Sequence, residues 1–266
     1  SAASDVYKRQ VLGITRLDIH VQPQKSVRPT LWAYAYEVFK RRARGEPLQY
    51  ILGTQPFRGL EIMVRPGVLI PRPETQLIVE EVHAILDSCE ELRMADIGTG
   101  SGCLAVALAT EFPHAKLYAT DCSIAAIGVA ADNANKGSVQ DRIRFLCGDL
   151  LEPLTGLPGI KGGLSVIVAN PPYISTHHLD TLPRSVRDFE PHLALDGGRD
   201  GLSFYRRLLS KAQLFLQPGG YLVLEMGAGQ VHRICEEAED LQVWIIRNIR
   251  RDDANIDRVI TLERKG

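Results

Sequence analysis

The chain has 266 residues, of which 45% are apolar and 24% charged, with a net charge of −1. A chain of that size buries roughly three quarters of its unfolded surface, which fits one main domain plus a smaller one. No apolar run reaches the ~18 residues of a membrane span and the first residues lack an apolar signal core, so a soluble, cytoplasmic protein is expected.

The charge is uneven. Residues 1–80 hold twelve Lys/Arg against seven Asp/Glu, or +5, which leaves −6 for the remainder. Residues 1–10 carry Asp, Lys and Arg with no helical apolar period and read as a poorly ordered leader. Residues 30–44 place Leu31, Tyr34, Ala35, Val38 and Phe39 at helical spacing, and Pro47 closes that helix. The cluster Lys40-Arg41-Arg42-Arg44 reads as its solvated face, with RNA or an acidic protein surface as the other reading. Residues 49–64 hold two strand-like runs around Gln55-Pro56, a hairpin linking two domains. Residues 75–88 are helical, with Leu77, Ile78, Val82, Ile85 and Leu86 on one face.

From residue 92 onward strand and helix alternate, which predicts parallel strands joined by right-handed crossovers. The strand at 92–95 runs into Asp96-Ile97-Gly98-Thr99-Gly100-Ser101-Gly102, followed by an apolar helix at 103–109. A strand, glycine turn and helix N-terminus make a site for a polar cofactor, because free backbone N–H groups point at the ligand there. The dinucleotide fingerprint needs its third glycine at position 103, where this chain has Cys103. The leading Asp96 is also foreign to that fingerprint. A second strand, 117–120, ends at Asp121, placed to hold a ribose diol or to cap the helix that starts near Ser123. A third, 143–147, ends in Gly148-Asp149-Leu150, where Asp149 suits an adenine amino group and Leu150 the ring.

The fourth strand, 166–169, delivers Asn170-Pro171-Pro172-Tyr173 to the carboxyl edge of the sheet, where open α/β folds bind ligands. Both prolines lack an N–H and fix φ, so this corner cannot relax into helix. An amide acceptor, a directed carbonyl and an aromatic face suit one task, holding a planar NH2 group against an electrophile. Strands near 221–225, 243–248 and 258–263 complete the sheet, and the last two are close enough in sequence for an antiparallel edge hairpin. The five cysteines (89, 103, 122, 147, 235) form no Cys-x-x-Cys pair and read as reduced, mostly buried thiols. His177-His178 has no third ligand at metal spacing and reads as surface loop, so no metal is expected.

These motifs resemble the HemK/PrmC family, the S-adenosyl-L-methionine-dependent methyltransferases that modify a glutamine of peptide-chain release factors. The resemblance runs from about Val11 to Arg264. It includes Gly45-Glu46-Pro47-Leu48-Gln49-Tyr50-Ile51-Leu52-Gly53, Phe57-Arg58-Gly59-Leu60 and Val68-Leu69-Ile70-Pro71-Arg72-Pro73-Glu74-Thr75. Further on it includes Glu190-Pro191, Ala194-Leu195-Asp196-Gly197-Gly198, Asp200-Gly201-Leu202 and Pro218-Gly219-Gly220. The Pro-Arg-Pro-Glu-Thr segment separates it from the related enzymes that modify a ribosomal-protein glutamine. The family usually carries a second Glu where this chain has Gln76, and a longer helical domain at the amino end.

The resemblance implies a class I methyltransferase: a Rossmann-like, mostly parallel seven-stranded sheet with a small, truncated N-terminal helical domain. Its divisions are a leader (1–10), a remnant substrate-recognition domain (11–47), a hairpin linker (48–72) and a catalytic domain (73–266). It implies cofactor contacts from Asp96, Gly98, Thr99, Gly100, Ser101, Gly102, Asp121, Asp149, Leu150 and Asn170. The substrate glutamine falls to Asn170, Pro171, Pro172 and Tyr173, with Arg72 and Glu74 as further substrate-binding residues. The chemistry is a direct in-line methyl displacement in which Asn170 Oδ1 and the Pro171 carbonyl take the two amide N–H groups. Positioning of that type lowers a barrier by about 7–11 kcal/mol in the best cases. The expected partner is a class 1 release factor bound by a monomer, with S-adenosyl-L-homocysteine as coproduct. Three other readings compete: an adenine-N6 nucleic-acid methyltransferase, a ribosomal-protein glutamine methyltransferase, and a non-catalytic protein that keeps the fold. The −6 balance of the catalytic part opposes the first, residues 71–75 the second, and the intact Asn170 with its glycine turn the third.

Overall fold

The structure, a computed structural model, describes Val21 and residues 29–87 and 91–266. The expected leader and most of the segment before residue 29, as well as Cys89, lie outside the described residues. Helix α1 (Pro29–Ala43) is followed by a short helix α2 (Leu48–Leu52) and an antiparallel hairpin of β1 (Thr54–Phe57) and β2 (Leu60–Met63). Three details differ from the sequence reading. Residues 48–52 are helical and not strand. The helix α1 stops at Ala43, ahead of Gly45 at φ +98°, and Pro47 instead begins α2. The hairpin turns at Arg58-Gly59, both at positive φ (46° and 75°), while Pro56 sits inside β1 opposite Glu61. Positive φ at both central positions is the type I′ two-residue hairpin, and an edge strand tolerates proline, so the Gln55-Pro56 signal was misleading.

The predicted apolar face of α1 also changes. Ala35 and Val38 are buried, whereas Tyr34 and Phe39 are exposed at 53% and 44%. Its basic cluster is occupied locally: Lys40 pairs with Glu37, Arg41 with Glu46, and Arg42 donates to the Gly45 and Glu46 carbonyls.

The seven-stranded sheet contains β3 (Arg93–Ile97), β4 (Lys116–Asp121), β5 (Ile143–Cys147), β6 (Leu164–Ala169), β7 (Leu216–Glu225), β8 (Trp244–Arg251) and β9 (Asp257–Arg264). The strand order is β5-β4-β3-β6-β7-β9-β8. The first five are parallel to one another, and β9 is antiparallel to both β7 and β8. The last two strands therefore form the expected hairpin, with β9 inserted inside the sheet and β8 at its edge. Alternate residues feed two cores. Met94, Leu117, Val166, Val168 and Val223 face one side; Ala95, Ile97, Ile167, Leu222 and Leu224 face the other. Fully buried strands covered on both faces by helices read as continuous apolar runs, which is why residues 164–169 were easy to place.

On the first side lie α3 (Gln76–Ile85), α4 (Cys103–Glu111) and α5 (Ile124–Lys136). On the other lie α7 (Ser203–Ala212) and α8 (Val231–Asp240), reached after the one-turn α6 (Arg184–Arg187). Every residue of α4 from Cys103 to Ala109 is buried. Gly102 caps that helix at φ +79°, and a Cβ there would sit 2.8 Å from the Ala130 Cβ of α5. The glycine at 102 thus serves helix–helix contact, which accounts for its displacement from the dinucleotide spacing.

The amino-terminal hairpin is fastened to this frame by polar contacts. Asn133 of α5 accepts from Met63 N (2.7 Å) and donates to the Met63 and Ser101 carbonyls (2.9 and 2.8 Å). Arg58 makes a two-pronged pair with Glu111, and Lys136 pairs with Glu61. One side chain, Asn133, so links the hairpin to the glycine turn. No helix among the described residues is long and apolar enough to cross a membrane.

Candidate active site

Strands β4 and β6 flank β3 on opposite sides, so the chain's crossovers leave a crevice beyond the carboxyl end of β3. A cavity of about 320 Å3 lies there. Its walls combine Gly98 and Gly100 after β3, Asp121 to Ser123 after β4, Asp149 and Leu150 after β5, and Asn170, Pro171 and Pro172 after β6. Residues Gly67 to Leu69 and Pro191, Leu193, Ala194 and Phe204 close the opposite side. The expected strand-end residues do converge on one cavity.

Not all predicted residues reach its wall. Asp96 is 1% exposed and lies behind the glycine turn, where Oδ2 accepts from Thr99 Oγ1 (2.6 Å) and Ala105 N (3.1 Å). Its Oδ1 has no hydrogen-bond partner among the described residues, and burial pushes its carboxyl up to about 7. Asp96 therefore braces the turn against α4, and Thr99, Ser101 and Gly102 likewise stand behind the wall. Asp121 lines the cavity and braces the two turns beside it, but the helix cap is not its own. Its Oδ2 accepts from Gly100 N (2.9 Å) and its Oδ1 from Ser123 N (2.8 Å), while Ser123 itself caps α5. Asp149 lines the cavity and is ion-paired with Arg207, whose guanidinium also lies over the Phe204 ring.

The Asn-Pro-Pro-Tyr corner splits between two environments. Asn170, Pro171 and Pro172 line the cavity, and Asn170 Nδ2 donates to Thr75 Oγ1 (3.1 Å). Its Oδ1 has no protein donor among the described residues. Tyr173 is not on the wall: its ring packs into the second core beside Gly227, and burial pushes its hydroxyl up to about 12. The Tyr173 carbonyl accepts from Gln230 Nε2 (3.0 Å), and Ile174 bridges to Asp196, so the segment after the prolines is pinned to the 195–198 loop. Two successive φ-locked prolines turn the chain enough to send the following ring inward, where apolar burial favours it.

Arg72 and Glu74 are also off the wall. Arg72 donates to Glu190 Oε1 (2.6 Å), and Glu190 Oε2 accepts from Ile70 N (3.2 Å). Glu190 is 4% exposed, so this pair clamps the 67–72 strap to the 190–194 loop, and Tyr50 OH holds the Val68 carbonyl from behind. Sequence reasoning gave no role to residues 67–69 of this strap, to Pro191–Ala194 or to Phe204. The segments were visible as part of the resemblance, but nothing local marked them as cavity walls. It also missed Thr75 and Glu225, both 2% exposed, which stand behind Asn170. Of the four described cysteines, all free, only Cys103 is buried, while Cys122 and Cys147 are exposed near the end of β4. That corrects the expectation of mostly buried thiols, since the ends of β4 and β5 open toward the crevice. His178 is held by Ser175 Oγ (2.7 Å).

Two family patterns match the chain: the PrmC N-terminal domain over residues 3–53 and the methyltransferase small domain over residues 73–199. The first begins inside the segment expected to be a leader. The release factor glutamine methyltransferase of Moorella thermoacetica is 43% identical over 252 residues, spanning 95% of this chain and 87% of that protein. The protein of the same name from Geobacter sulfurreducens is 44% identical over 223 residues, spanning 84% and 75%. Among solved structures, a methyltransferase from Pyrococcus furiosus superposes with a TM-score of 0.58 at 21% identity, covering 85% of this chain and 99% of that one, a likeness of fold alone.

Proposed function

The chain belongs to the release factor glutamine methyltransferase family, and from that premise we propose that it methylates the side-chain amide nitrogen (N5) of the glutamine in the Gly-Gly-Gln motif of class 1 release factors. S-adenosyl-L-methionine is the donor, and its bound form supplies an electrophilic methyl group on a sulfonium sulfur. The cavity suits that donor. Gly98 lines it at φ +74°, and a Cβ there would meet no protein atom within 4 Å, so any side chain would take space from the cavity. The same cavity offers the Asp121 carboxylate, beside the glycine turn, for a ribose diol, and Asp149 with Leu150 and Phe204 for a base. A volume of about 320 Å3 is within the ordinary range for a small-molecule site.

The observation that carries this reading is the Asn170-Pro171-Pro172 corner on the wall of that same cavity. An amide nitrogen is a poor nucleophile because its lone pair is delocalised, and among the described residues no His or Lys lines the cavity to deprotonate it. What the chain does provide is orientation. Asn170 offers Oδ1 as an acceptor, and the Pro171 carbonyl is restricted by the ring before it and by Pro172 after it, so both N–H groups of a glutamine find acceptors at one rigid corner. The strap at 67–69 and the loop at 191–194 add apolar side chains to the same cavity, and hydrogen bonds are stronger in apolar surroundings than in water. We place the enzyme in the cytoplasm as a monomer, with nucleic acid outside its substrate range.

The test is transfer of label from the donor to a class 1 release factor, duplex DNA and ribosomal RNA in parallel, with mass analysis of the Gly-Gly-Gln peptide. Label in the nucleic acids but not in that peptide overturns the reading. A second expectation concerns Asp121. Asp121→Ala raises the donor's Kd by about 10- to 100-fold, the size expected for charge-assisted hydrogen bonds, while kcat at saturating donor changes little; titration calorimetry reads the first and initial rates the second.

A further inference from the structure

Behind Asn170 lies a buried polar chain. The register of β6 against β7 sets Ala169 beside Leu224, so Asn170 and Glu225 leave the sheet edge side by side. Thr75, just before α3, accepts from Asn170 Nδ2 (3.1 Å), and its side chain acts on the Glu225 carboxyl, holding it down against the effect of burial. Thr75 and Glu225 are each 2% exposed, and Glu225 Oε2 has no hydrogen-bond partner among the described residues.

We propose, resting on the function given above, that Thr75 and Glu225 are positioning residues that dictate which end of the Asn170 amide faces the substrate. A hydroxyl has one proton. With Glu225 ionised, that proton goes to the carboxylate, and Thr75 Oγ1 is left to accept from Asn170 Nδ2. The Asn170 amide then presents Oδ1 forward, the only orientation that accepts from a glutamine NH2. With Glu225 protonated, the carboxyl can donate to Thr75 instead. Thr75 then donates to Asn170, the amide turns over, and an NH2 group meets an NH2 group.

The surroundings of Glu225 set where this reversal falls. Burial pushes its carboxyl up to about 7; the Thr75 hydrogen bond lowers it, Glu74 beside α3 raises it, and Arg258 of β9 and Arg72 of the strap lower it. Tyr173, Tyr205 of α7 and Cys103 of α4 also face it, each with its own pKa raised and so neutral at that pH. The orientation of the catalytic amide is therefore tied to a proton that comes and goes near neutrality.

The experiment measures kcat, KM for the release factor and donor Kd across about pH 5.5–8.5. In the parent, kcat falls as the pH drops below about 7 while donor Kd holds. Thr75→Val lowers the plateau kcat by about 10-fold and flattens the acid limb, and Thr75→Ser restores both. Glu225→Gln also flattens the limb and serves as the deciding variant if Thr75→Val does not fold. An active parent whose Thr75→Val variant keeps the same rate and limb, or whose Glu225→Gln variant keeps the limb, overturns the relay alone. A parent that transfers no methyl group to the release factor at any pH overturns the function and the relay together.

Discussion

Replacing Asn170 by alanine lowers kcat for release-factor methylation by about 10²–10³-fold, the loss typical of one preorganised polar group aimed at the reacting centre. Binding of the donor changes by only a few-fold, because Gly98, Gly100, Asp121 and Asp149 are untouched. The split follows from geometry. Asn170 sits at the end of β6, whose residues are all buried, so truncation leaves the backbone corner of Pro171 and Pro172 in place. What disappears is the acceptor that aims the amide nitrogen. KM for the release factor rises modestly, since one hydrogen bond is a small part of a protein–protein contact. Steady-state rates together with calorimetric donor binding test this, and an Asn170→Ala enzyme at the parent kcat would falsify the orientation mechanism.

The second large effect is on stability. Glu81→Ala destabilises the fold by about 3–5 kcal/mol, as expected when one partner of a buried ionic network is deleted. Glu81 lies on α3 at 2% exposure and accepts from Asn248 Nδ2 (3.0 and 2.9 Å), Arg250 Nη1 (3.2 Å) and Thr261 Oγ1 (3.1 Å). Arg250 also reaches Glu80. Alanine would strand the hydroxyl of the fully buried Thr261, while the exposed Asn248 would turn to water. Glu81→Gln keeps an acceptor and loses only the charge, so its cost is smaller. Urea unfolding reads both, with the midpoint moving and the slope unchanged. Equal midpoints for Glu81→Ala and the parent would rule out this role for the network.

Much of the architecture was legible because the parallel strands are short apolar runs that end in functional residues. The run at 164–169 is buried at every position, and the strand ends at Gly98, Asp121, Asp149 and Asn170 all reach one cavity. The illegible parts share a different character. Glu81, Thr75 and Glu225 act through partners 95 to 180 residues away in sequence, so no window around them carries the signal. Arg72 was read as a substrate contact, yet a buried Glu190, 118 residues on, claims its guanidinium. Tyr173 was placed on the ligand because it follows the prolines, but the core was the nearer apolar surface. In α2, five residues with β-like composition fold as helix because Gly53 at φ +79° closes the turn by donating to the Gln49 carbonyl. Propensity over so short a stretch is outweighed by one such contact.

The position of β9 between β7 and β8 bears on how the protein is made. Until residues 257–264 have left the ribosome, β7 and β8 each keep an open row of backbone donors and acceptors, and the catalytic edge at Glu225 lacks its neighbour Val259. An unpaired strand flank of that length invites intermolecular pairing. Nascent chains stalled before Asp257 are therefore the species that chaperones must shield, and early stop codons upstream of it should yield aggregates in place of a weakened enzyme.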